Sequence, residues 1–150
     1  MKKTFQIPKR RLLCCLLAMM LLLSTILLSG CKNEPVVIKD SDTCIVIRPT
    51  QEVVDNNPDM VLIDYMEKLI QAGDMTCTIS NGMVISLNGI ENPADYSSCW
   101  MLYTSDVENS NSAWGTVEYD GQKYGSAISG AEVLKIKPGQ LYIWVFQSFG

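Results

Sequence analysis

Residues 12–28, LLCCLLAMMLLLSTILL, form an apolar run without a single charge, and five basic residues (Lys2, Lys3, Lys9, Arg10 and Arg11) precede it. Such a segment has no place in a small water-soluble domain and belongs to a bilayer, as an export signal in passage or as a span. The run closes on Leu28-Ser29-Gly30-Cys31, in which two small residues precede a cysteine. Cleavage before Cys31 removes 30 of the 150 residues and leaves 120, room for one domain with an ordinary core. The competing reading is an uncleaved transmembrane helix, since the run approaches the roughly 17 to 25 residues that cross a bilayer. Cys14 and Cys15, inside the run, read as small apolar residues of the signal.

The tetrapeptide ending at Cys31 resembles the lipobox of bacterial lipoprotein precursors, whose cysteine sulfur takes diacylglycerol. The resemblance implies three parts: a signal peptide over 1–30, a tether over 31–42 and a domain over 43–150. It also implies an extracytoplasmic protein held on the cell membrane by lipid at Cys31, palmitate among the acyl groups. Each acyl chain contributes about 0.8 kcal/mol per buried CH₂, so two or more chains anchor stably where one is marginal. The tether, KNEPVVIKDSD after Cys31, is polar and ends in acids, although Val36-Val37-Ile38 is also suited to a first strand. After Cys31 the chain holds 7 basic and 16 acidic residues, a balance of 7 − 16 = −9. That charge repels phosphate backbones and anionic headgroups, so nucleic acid is excluded as an expected partner and lipid must do the anchoring.

The chain has no histidine, which removes the commonest general base and the favoured zinc ligand together. No nucleophile elbow, phosphate loop or dinucleotide fingerprint is present. Catalytic residues, a metal and a cofactor are therefore not expected. Cys44, Cys77 and Cys99 lack CxxC spacing, and three cannot all pair within the chain; one disulfide or three free thiols remain open. Asp40-Ser41-Asp42 and the stretch from Asp106 to Asn111 offer oxygen ligands without the calcium-loop pattern, and read as solvated turns.

Along the domain, Thr43 to Arg48 is β-branched and closed by Pro49, a buried strand. A helix is expected from Pro58 to Ala72, with Asn57 as N-cap and Gly73 at its left-handed end. Its stripe of Leu62, Ile63, Met66, Leu69 and Ile70 requires a sheet to cover it. Met75 to Ser80 and Met83 to Leu87 flank Asn81-Gly82, a hairpin whose turn needs positive φ at both centres. Strands are also expected at Cys99 to Thr104, Trp114 to Tyr119, Gln122 to Ile128, Ala131 to Ile136 and Leu141 to Phe146. Ser105 to Ser112 is a polar loop, with further turns at Asn88-Gly89, Asp120-Gly121 and Pro138-Gly139. One early helix followed by antiparallel segments indicates an α+β fold with the helix across one face of a mostly antiparallel sheet.

The stretches ISNGMVISLNGI (79–90), YSSCWMLY (96–103) and KPGQLYIWVF (137–146) resemble the transcobalamin-like C-terminal domain family. That resemblance covers about residues 43–149 and implies a β-grasp-like domain. In vitamin B12 carriers a domain like this closes over a corrinoid held by a larger helical domain, for which this chain has no room. It departs from the family pattern at Thr104-Ser105-Asp106, where an asparagine-glycine turn is frequent.

Ten of the eleven aromatic residues after Cys31 lie from Tyr96 onward. In the last strand Leu141, Ile143 and Val145 alternate with Tyr142, Trp144 and Phe146, so both faces are apolar and the strand should be central. Two arrangements follow. Either the helix covers the aliphatic side while aromatics fill the other, or Tyr96, Trp100, Tyr103 and Trp114 form a partly exposed platform that stacks on a ligand. The leading expectation is a non-catalytic module binding a small ligand or a surface protein. An accessory subunit capping a corrinoid-like ligand held elsewhere comes second, and an enzyme third.

Overall fold

The computed structural model describes residues 36–149. The apolar run, Cys31 and residues 32–35 lie outside the described residues. Two antiparallel sheets and two helices make up the domain, an α+β architecture. The larger sheet has six strands in the order β1 (Val37–Ser41), β2 (Cys44–Ile47), β9 (Tyr142–Ser148), β6 (Ser98–Thr104), β8 (Gln122–Ala127) and β7 (Ser110–Tyr119). The smaller has three, β3 (Cys77–Ser80), β4 (Met83–Leu87) and β5 (Ile90–Glu91). Helices α1 (Gln51–Asn56) and α2 (Leu62–Ala72) lie between β2 and β3 in the chain. No helix of the described residues is long and apolar enough to cross a membrane.

The tether expected to reach Asp42 is therefore shorter. Val37 pairs with Ile47 and Ile38 with Val46, so β1 forms an edge of the larger sheet. Its apolar side chains gain burial there that an extended linker would not give them.

Three two-residue turns hold the hairpins as their sequences require. Asn81-Gly82, Asn88-Gly89 and Asp120-Gly121 have positive φ at both centres (50° and 77°, 48° and 82°, 50° and 70°). That backbone matches the twist of the flanking strands, and a glycine at the second position adopts it without a Cβ clash.

Strand β9 sits between β2 and β6, in the middle of the sheet as its two apolar faces demand. Its sides are used the other way round from expectation. Tyr142 and Trp144 share one core with Ile45, Ile47, Trp100, Leu102 and the helix residues Leu62, Ile63, Met66 and Leu69. Ile143 joins a smaller cluster with Val46, Tyr103 and Leu141, to which Val117, Tyr119 and Tyr124 of β7 and β8 add. The helix covers the aromatic face, while the long β7–β8 hairpin supplies the apolar cover of the aliphatic one. Each large side chain buried this way contributes about 1.5 to 3 kcal/mol.

Helix α2 begins later than its sequence indicates. Asn57 closes α1 instead, its amide bonding Val54 O at 3.1 Å and its side chain Val53 O at 3.1 Å. Thr50, not recognised as a cap, starts α1 by accepting from Val53 N at 3.3 Å. Val61 pairs with Lys135, and the first amides of α2 go to a distant segment: Leu62 N to Leu134 O at 2.8 Å, Ile63 N to Ala131 O at 3.0 Å. Ala131 to Ile136, read as a strand, is thus an irregular segment whose carbonyls satisfy orphan helix donors. Gly73 ends the helix at φ 83°, as expected. Residues 110–112 of the expected polar loop belong to β7, leaving a 3₁₀ turn at Val107–Asn109.

Candidate functional site

Four aromatics drew attention in the sequence, and the fold separates them. Trp100 is 5% exposed and belongs to the helix-covered core, whereas Tyr103 is 3% exposed and belongs to the opposite cluster. The reason is parity: residues three apart on a strand face opposite ways. Trp114 is exposed on edge strand β7, two strands from β6, beside Gly115 with φ 140° where the β7–β8 register shifts. Tyr96 is exposed in the turn before β6, with φ 52°. No single platform unites them.

Both buried members are fully engaged. Trp100 Nε1 donates to Ile90 O at 2.9 Å, its amide donates to Asn92 Oδ1 at 3.1 Å, and its ring meets Phe146 at 5.4 Å between centroids, tilted by 57°. Tyr103 Oη donates to Gln147 Oε1 at 3.0 Å. These are the contacts of packed core residues.

The register of β6 on β9 places Leu102 opposite Trp144 and Trp100 opposite Phe146, making the two tryptophans diagonal neighbours on one face. Asn92 ties the smaller sheet to this face: Nδ2 donates to Val84 O at 3.0 Å, while its Oδ1 accepts from Trp100 N. Between the β3–β4 turn, strand β6 and Gly130–Glu132 a cleft of about 330 Å³ remains, with Trp100, Trp144, Met83 and Val84 among its walls. That volume lies at the small end of ligand-binding pockets.

Trp144 differs from Trp100 in one respect. It too is 5% exposed, but its Nε1 is buried and has no acceptor among the described residues. An unsatisfied buried donor costs about 1 to 3 kcal/mol, and native structures contain few. The rim carries Glu132, which has no Lys or Arg within salt-bridge reach among the described residues. Sequence reasoning noted Trp144 as a strand residue and gave Glu132 no role. No signal in the sequence singles them out, because the pairing of β6 with β9 and the hydrogen-bond partners of a buried indole are set by tertiary neighbours.

Elsewhere the polar chemistry is structural. Asp106 is the one buried carboxylate among the described residues. Burial raises its pKa, but bonds from Lys137 (2.8 Å), Asn109 Nδ2 (2.7 Å) and the Glu108 amide (3.2 Å) outweigh that and hold it below the ordinary value. The Asp106 carboxylate, with that of Glu108 at 2.7 Å, pushes Lys137 up. Cys44, Cys77 and Cys99 are free thiols; burial pushes Cys44 and Cys77 up to about 11, with Asp40 adding to the effect at Cys44. Such thiols are protonated at neutral pH and poor nucleophiles. Among the described residues no three Cys, Asp or Glu side chains gather to hold a metal ion.

Compared with family models, curated proteins and solved structures, the chain finds no significant match.

Proposed function

We propose that this chain is an extracytoplasmic lipoprotein, anchored through lipid at Cys31, whose domain binds a small ligand without transforming it. The domain is read as β-grasp-like, similar to the transcobalamin-like C-terminal family. The observation that carries the binding role is the cleft between the β3–β4 turn and the larger sheet, walled by Trp100, Trp144 and the exposed Met83.

Methyl resonances of Met83 on the cleft wall and Met66 in the closed core separate this reading from nonspecific contact. A set of small uncharged fragments should shift Met83 and leave Met66 unmoved; if no fragment shifts Met83, the cleft is not a binding site. For the anchor, mass spectrometry of membrane-extracted protein should find Cys31 acylated at the amino terminus, and an intact Met1–Gly30 segment would refute it.

Met83 is 51% exposed at the cleft, which favours a second reading: an accessory subunit that caps a ligand held on its other side by a separate protein. In that case fragments would bind only when the partner is present.

A further inference from the structure

Chain length limits how the domain can stand on a membrane that holds Cys31. Four residues, Lys32 to Pro35, separate Cys31 from Val36, and the five steps between those two residues cover at most about 18 Å. Val36 leads into one end of the larger sheet, where Val37 pairs with Ile47, Ile47 with Tyr142 and Tyr142 with Thr104. At the opposite end Ser41 pairs with Cys44 and Ser98 with Ser148. Strand β9, seven residues long, runs from the first end to the second, a rise of about 20 Å. A domain resting on the second end would lift Val36 by that amount, beyond the reach of the tether even before the turns there add height.

The end that Val36 enters is a continuous surface. Arg48 N donates to Val36 O at 2.8 Å, Gly139 N to Pro49 O at 3.0 Å and Ser105 N to Leu141 O at 3.0 Å. Lys137 Nζ bonds Asp106 at 2.8 Å and Glu108 at 2.7 Å, the two acids that flank Val107. Between them Val107 is 84% exposed, more than any other large apolar side chain of the described residues. A salt-bridged pair of acids thus presents a bare isopropyl group beside the place where the anchored chain enters the domain.

We infer that this end faces the bilayer that holds the anchor, and that Val107 rests in its headgroup layer as a second, apolar contact. The inference rests on lipidation of Cys31. One valine cannot hold a protein on a membrane, but with the lipid supplying proximity it biases which way the domain stands. The contact is apolar and not electrostatic, since the chain after Cys31 carries 16 acidic against 7 basic residues and anionic headgroups repel it. Tyr96 and Phe149, both exposed at the other end, then point away from the membrane, Phe149 N donating to Ser97 O at 2.8 Å.

The full chain, extracted from membranes with its lipid and placed in phosphatidylcholine nanodiscs doped with a gadolinium-chelate lipid, tests this. Amide signals of Val107, Glu108 and Gln140 should broaden several-fold more than those of Asp42, Tyr96 and Phe149. Val107→Asp should lower the population of the contacting orientation about tenfold, the scale of one buried valine, and the broadening at Glu108 should fall with it. Val107→Ser, which adds no charge beside Glu108, should act in the same direction. Phosphatidylglycerol in place of phosphatidylcholine should weaken the contact. Equal broadening at the two ends, or stronger broadening at Tyr96, with Cys31 acylated by mass, overturns the orientation and leaves the anchor standing. Unequal broadening that neither Val107 variant changes overturns the apolar contact. A mass that shows Cys31 without acyl chains overturns anchor and orientation together.

Discussion

Two halves of one sheet face can be compared, the part around Trp100 and the part around Trp144. Both indoles are 5% exposed, stand on neighbouring strands and share one apolar cluster. Around Trp100 both N–H groups are answered, by Ile90 O at the ring and Asn92 Oδ1 at the backbone. Around Trp144 the ring nitrogen is not, and a cleft lies beside it. Burial alone does not distinguish the two surroundings. Hydrogen-bond satisfaction does, because a closed core carries no unanswered donor without cost.

The largest effect that sharpens the comparison is truncation. Trp100→Ala should cost about 3 to 5 kcal/mol in urea unfolding, while Trp114→Ala, at a residue 64% exposed, should change stability by no more than about 0.5 kcal/mol. A costly Trp114 variant would mean that β7 packs on something beyond the described residues.

Asp106 tests the same rule on a charge whose partners are all present. Asp106→Asn should cost about 1 to 3 kcal/mol, since Lys137 loses its buried counter-charge. The pH dependence has a definite sign. A carboxyl held below its ordinary 3.8 contributes fully above that value, and the contribution disappears as pH falls through the depressed value. Acid titration of stability should therefore bring wild type and variant together at low pH; a difference that persists there would show that shape, and not charge, is what the substitution removes.

A smaller effect bears on the contrast itself. Replacing either tryptophan by phenylalanine removes similar apolar surface, but only at Trp100 does it leave a carbonyl, Ile90 O, without its donor. Trp100→Phe should then be the more destabilising by about 1 kcal/mol. Equal losses would indicate that Trp144 Nε1 is bonded in solution as firmly as Trp100 Nε1.

How much of this was legible follows from where each determinant resides. The three Asn-Gly or Asp-Gly turns were readable because two adjacent residues settle the backbone. The central place of β9 was readable because a strand apolar on both faces needs cover on both. The start of α2 was not, since its cap consists of Ala131 and Leu134 carbonyls, far away in sequence, and those residues alternate enough to pass for a strand. The tether reads too long because KDSD outweighs the three apolar residues before it, two of which, Val37 and Ile38, pair with β2 once β2 exists. Among the site residues, strand parity already separated Trp100 from Tyr103, so the proposed platform conflicted with a rule available in the sequence. Trp144 was beyond reach for a different reason: whether a buried N–H finds an acceptor is decided by tertiary neighbours.

That the cleft between the β3–β4 turn and the larger sheet takes a small ligand is tested by a crystal structure of the protein soaked with the uncharged fragment that shifts Met83 furthest. The fragment is expected against the Trp100 and Trp144 side chains and Met83, with Trp100 Nε1 still on Ile90 O. A fragment seated only elsewhere on the protein, with this cleft empty, would overturn the reading.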